Sequence, residues 1–70
     1  MSQDVVAWCV KELKVPEETA EDIEHQLALP SIGVVCVDDI RWLVDEDMEK
    51  IDIPSVHKGK IMAWVGKSKP

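Results

Sequence analysis

Phenylalanine and tyrosine are absent from this 70-residue chain, and three tryptophans are its only aromatic residues. Long apolar runs are absent too. No stretch approaches the 18 or so residues of a membrane-spanning helix, so none is expected. The first residues lack the basic-then-apolar pattern of a secretory signal. A cytoplasmic location is expected, with the nucleus as the alternative. The three glycines form no phosphate-cradling loop. Cys9, His25, Cys36 and His57 have no local ligand spacing, which argues against a zinc site. The two cysteines read as small buried thiols of a reducing compartment, a single disulfide being the lesser alternative. DEDMEK at 45–50 superficially suggests a calcium loop. It fails, with Lys50 where the turn glycine belongs and Val56 where the bidentate glutamate belongs. Neither histidine has a nucleophile or acid partner in sequence, so no enzyme, cofactor or small-molecule substrate is expected.

What remains is one small domain. A chain this short buries about 60% of its unfolded surface. Its core can supply no more than roughly 3–5 kcal/mol of net stability. A deep active-site cavity is hard to accommodate in it, and a binding surface is the better expectation.

Charge is plentiful and unevenly placed. The net charge is −6. Residues 1–50 carry 4 basic and 13 acidic side chains, a net of −9, whereas 51–70 carry four lysines against Asp52 alone, a net of +3. Such a separation suits a head-to-tail contact with another copy, or partners of opposite charge on different faces.

Along the chain, DVVAWCVKELK at 4–14 has Val5, Trp8, Cys9 and Leu13 near one helical face, with Ser2 or Asp4 as a cap. Pro16 ends this helix or starts the next. Residues 17–29 form a second helix with an acidic start and a stripe of Ala20, Ile23, Leu27 and Ala28, closed by Pro30, Ser31 and Gly33. VVCV at 34–37 reads as a buried connector rather than a strand, since no other strand is in sight to pair with it. A short helix at 38–43 would be capped by Asp38, with Ile40 and Leu43 inward. Another at 45–51 would be capped by Asp45, with Met48 and Ile51 inward. Ile53 packs down, Pro54 breaks the chain and Ser55 caps a final helix at about 56–66, carrying Ile61, Met62 and Val65 inward. Gly66 ends it before a short basic tail, 67–70. The expected fold is all-α, five helices over residues 1–66 with a longer C-terminal helix.

The stretch 33–65 is similar to a known family. LVDEDMEKIDI at 43–53 resembles the Leu-Thr-Asp-Glu-Asp-Leu-Lys-Glu-Leu-Gly-Ile segment of sterile alpha motif (SAM) domains. IPSVHKGKIM at 53–62 resembles their Ile-Pro-Leu-Gly-His-Arg-Lys-Lys-Ile-Leu, and GVVCVDDIRWL at 33–43 their approach to the third helix. Asp4, Val5, Trp8 and Cys9 are similar to the first-helix pattern Asp-Val-x-x-Trp-Leu. The chain departs from the pattern at Val56, where a glycine is usual, at Val44, where a threonine cap is usual, and at Thr19 and Ile23, where aromatics are usual. The resemblance implies a compact SAM-like five-helix bundle that mediates protein–protein interaction.

Two clusters are the candidate sites. Asp38, Asp39, Asp45, Glu46, Asp47 and Glu49 are acidic. Part of that set belongs where helix starts favour anions. By resemblance, Asp38, Asp39, Asp45, Glu46 and Asp47 fall on the mid-loop surface that SAM domains use for docking. Trp42 lies among them. It is either an exposed interface anchor or a space-filler folded back onto the second helix. His57, Lys58 and Lys60 open the final helix, where cations are locally unfavourable by roughly 0.3–1 kcal/mol. They are either ordinary solvated side chains or, by resemblance, the end-helix surface that docks on a neighbour's mid-loop surface. The resemblance therefore implies another SAM-like domain, or a second copy, as partner, within a larger signalling or scaffold protein. Its alternative is RNA-hairpin binding through His57, Lys58, Lys60, Lys67 and Lys69, which the overall acidity disfavours.

Overall fold

The apolar face of the first helix is buried in a core shared with the helices that follow. In a computed structural model describing residues 3–68, the helices are α1 (Gln3–Glu12), α2 (Glu17–Leu27), α3 (Val37–Ile40), α4 (Asp45–Lys50) and α5 (Ser55–Ser68). No strand occurs among the described residues. The radius of gyration, 10.6 Å, is near the roughly 11 Å expected of a compact chain of this length.

On α1, Val5, Trp8 and Cys9 face inward at the i, i+3, i+4 spacing. Leu13 follows them into the core as its N–H closes the last turn on the carbonyl of Cys9 at 2.9 Å. The next residue, Lys14, adopts φ 57° and so turns the chain out of the helix. Pro16 is the N-cap of α2, its carbonyl receiving the Ala20 N–H at 2.9 Å. The most extensive helix–helix contact is between α1 and α2. Beyond α2 the chain folds back over that helix's C-terminal end. Ala28 N–H reaches Glu24 O, and Val34 N–H reaches Leu27 O, both at 2.9 Å. The carbonyls that a helix leaves free at its end are thereby used. Gly33, at φ 83°, makes this reversal possible.

The two shortest helices are each held by a carboxylate one turn in. Asp39 Oδ2 accepts the Val35 N–H at 2.9 Å and the Cys36 N–H at 3.3 Å. Asp47 Oδ2 accepts the Val44 N–H at 3.0 Å. This is the back-reaching arm of a capping box, used twice, eight residues apart. It corrects the expected caps Asp38 and Asp45. The N-caps are Cys36 and Val44, and the stabilising oxygens come from the third helical residue. Ser55 is likewise the first residue of α5 rather than its cap. Pro54 O receives the N–H groups of His57 (3.0 Å) and Lys58 (3.1 Å). Of the two caps considered for α1, Asp4 sits inside the first turn and Ser2 lies outside the described residues.

Sixteen apolar side chains form one core, and no charged or polar side chain is buried with them among the described residues. Ile23 and Leu27 of α2, Ile40 of α3 and Ile61 and Val65 of α5 are fully enclosed. Leu43, Met48, Ile51 and Ile53 complete it. Trp8 meets Trp64 edge to face, ring centroids 5.0 Å apart and planes at 79°, a favoured aromatic geometry. Elsewhere three expectations are corrected. Ala28 is exposed, because α2 ends at Leu27. In the 34–37 connector only Val34 is buried, whereas Val35 and Cys36 face solvent. The last helix runs through Gly66 to Ser68, so the basic tail begins inside it. No helix is long and apolar enough to cross a membrane among the described residues.

Candidate functional site

Short helices at the α2–α3–α4 corner bring the mid-chain residues to one surface. The loop after α2 passes over its C-terminal end, so Ile32, Gly33 and Val34 lie beside the residues that open α3 and α4. Together with Asp39, Trp42, Leu43 and Asp47 they line an open hollow of about 170 Å³. Val34 and Leu43 belong to the core and form its floor.

Trp42 projects from this surface with 75% of its area exposed. The ring is therefore not the space-filler folded back onto the second helix. The reason is local. α3 is a single turn whose inward position is already taken by Ile40, and Trp42 lies in the turn that follows, its N–H on Asp39 O at 3.1 Å. Val35 and Val44 are exposed on the same stretches of chain. Sequence reasoning missed both. Val44 is the N-cap of α4, and Val35 comes just before the N-cap of α3.

The carboxylates divide by what they already do. Asp38 makes an exposed ion pair with Arg41 at 3.2 Å, one turn along α3. It is the one ion pair among the described residues. Asp39 and Asp47 each spend one oxygen on helix caps and line the hollow. The Val35 N–H, with lesser help from the Cys36 N–H and thiol, holds the Asp39 carboxyl below its ordinary value of 3.8. It therefore stays ionised at neutral pH. Asp45 and Glu46, exposed in the first turn of α4, make no bond to another side chain among the described residues.

The expected basic cluster is divided in the same way. Lys60 Nζ donates to the backbone carbonyl of Leu13 at 2.8 Å. It is therefore a tie between α5 and the end of α1, a role the sequence reading did not foresee. Lys58 is half-buried and forms no ion pair among the described residues. His57 is half-buried, and its Nδ1 is enclosed without a partner. Val56 beside them is 64% exposed. Its side chain makes an apolar point at the start of α5, where the backbone N–H groups carry the positive end of the helix dipole.

Chemistry beyond binding finds little here. Burial, with a smaller contribution from Glu24, pushes the Cys9 thiol up to about 11, which suppresses its thiolate. Cys36 is free and exposed, correcting the expectation that both thiols are buried. No group of three or more His, Cys, Asp or Glu side chains among the described residues is arranged to hold a metal ion. The chain matches no protein-family model, no curated protein and no solved structure.

Proposed function

We propose that this domain is a SAM-type protein-interaction module. It joins an acidic face (Asp38, Asp39, Trp42, Asp45, Glu46, Asp47) to the start of α5 (His57, Lys58) on a second copy or a related domain. The observation that carries the reading is the exposed Trp42 indole set among carboxylates, in a chain whose net positive charge is confined to residues 51–70. Large aromatics anchor interfaces, and complementary charge steers and orients the encounter. The two faces differ, so the contact is heterologous and extends into chains when both stay free. In the cell such a module works as an oligomerising or scaffolding segment of a larger signalling protein, in the cytoplasm or the nucleus.

Asp45 and Lys58 are the positions to test, because neither supports a cap or an inter-helix tie. Sedimentation of the full chain at two salt concentrations reads the outcome. Asp45→Lys and Lys58→Glu each weaken association, and the 1:1 mixture restores a single dimeric contact. Association that ignores salt and both reversals, or a monomer under all conditions, defeats self-association. The RNA alternative has less support, since Lys60 is engaged with Leu13 and the remaining cations are few. A stem-loop RNA gel shift at low salt, with no retardation at about 100 μM, removes it.

A further inference from the structure

Asp39 and Asp47 face one hollow, and among the described residues no cation pairs with either. Each directs Oδ2 to a helix cap, and the Asp39 carboxyl also takes a bond from the Cys36 thiol. Beside them stands an indole with most of its area exposed, and beneath them lies an aliphatic floor of Val34 and Leu43. These are the parts of a receptor for one cationic side chain on an aliphatic stem. The floor takes methylenes, the carboxylates have lone pairs left to accept from an ammonium, and the indole face attracts its charge. At about 170 Å³ the hollow has room for one such side chain.

We infer that the hollow beside Trp42 receives the side chain of Lys58 from a second copy. The inference rests on the proposed association and names the contact at its centre. Lys58 fits the part because of what the other lysine at this end of α5 does. Lys60 is committed to Leu13 O, while Lys58 is uncommitted and flanked by the exposed Val56. Charge complementarity selects the occupant, since the hollow belongs to residues 1–50, with net charge −9, and Lys58 to residues 51–70, with +3. Val56 then lies against the apolar margin made by Val35 and Val44.

The test is NMR of the full chain with lysine selectively labelled with carbon-13, followed by concentration and salt. The Lys58 ε-methylene signal, identified by its loss in Lys58→Met, moves upfield as the chain associates, because the Trp42 ring current shields it. In Trp42→Ala that shift vanishes and association weakens about 3- to 30-fold. Trp42 is outside the core, so this variant keeps its fold. If Trp42→Ala and Lys58→Met associate as the parent does while Asp45→Lys still disrupts, the hollow is not the receptor and the broader charge-driven docking stands. If no form associates, both readings fall.

Discussion

Lys60 Nζ on α5 donates a 2.8 Å hydrogen bond to the carbonyl of Leu13, at the end of α1 and 47 residues earlier in the chain. A cation at a helix C-terminus satisfies a free carbonyl and complements the dipole. Lys60→Met retains most of the stem and removes the bond. It should lower stability by about 1 kcal/mol, seen as a reduced urea midpoint at unchanged slope. Lys58→Met should move stability by less than about 0.5 kcal/mol. Opposite results on stability and association would separate the two lysines. Lys60→Met affects folding and spares docking, and Lys58→Met does the reverse.

The caps of α3 and α4 give a second prediction. Asp39→Ala and Asp47→Ala should each lower stability, since each removes the back-reaching arm of a cap, whereas Asp45→Ala should cost little. Thermal unfolding of the three variants orders them. Asp39 also carries a sign in pH. Its folded value lies below 3.8, so its contribution is complete above that value and is lost as pH falls through the lower folded one. Asp39→Asn should therefore flatten the acid limb of the stability curve. Because Asp39 holds the backbone, reversing its charge would confuse docking with folding, and Asp45 is the better position for that experiment.

Much of this fold is legible in the sequence where periodicity has enough length to speak. Val5, Trp8 and Cys9 on α1, and Ile61 and Val65 on α5, are spaced by the helix and buried as expected. Over one or two turns that signal fails, and chemistry decides instead. Asp38 and Asp39 are indistinguishable as capping residues until the backbone shows which one faces back. The run VVCV offers no period that separates the buried Val34 from the exposed Val35. Gly66 is an ordinary helix stop by composition, yet α5 passes through it, since a single glycine lowers helix stability without forbidding the helix. The Lys60–Leu13 bond depends on how α5 crosses α1, and nothing local encodes it. The candidate acidic face was legible as charge. The hollow within it was not, because it is made by the return of residues 32–34 over the end of α2.

Backbone conformation sets a third expectation. Gly33 and Lys14 both have positive φ, but only one is glycine. Gly33→Ala meets open space and is nevertheless strained, so it should lose about 1 kcal/mol and disturb the hollow that Gly33 lines. Lys14→Gly should be neutral or stabilising by up to about 1 kcal/mol, as relief of the left-handed conformation offsets the greater freedom of the unfolded chain. Chemical denaturation of the two variants shows whether they shift in opposite directions. Equal losses at both positions would contradict the assignment.

The two thiols should behave as different chemical species. Cys36 is exposed, and Cys9 is enclosed with its thiol pushed up to about 11. A maleimide at neutral pH should label one thiol per folded chain quickly, and Cys36→Ser should remove that fast phase. Cys9 should react only as the domain opens. The same burial shapes the alkaline limb. An unfolded chain releases the Cys9 proton near 9 and the folded chain near 11, so over that interval the unfolded state binds fewer protons. Stability should accordingly fall as pH rises from 9 to 11. Cys9→Ala removes that component of the slope while lowering stability at every pH through the cavity it leaves. An alkaline limb identical in Cys9→Ala and the parent would show that another group, rather than this thiol, titrates there.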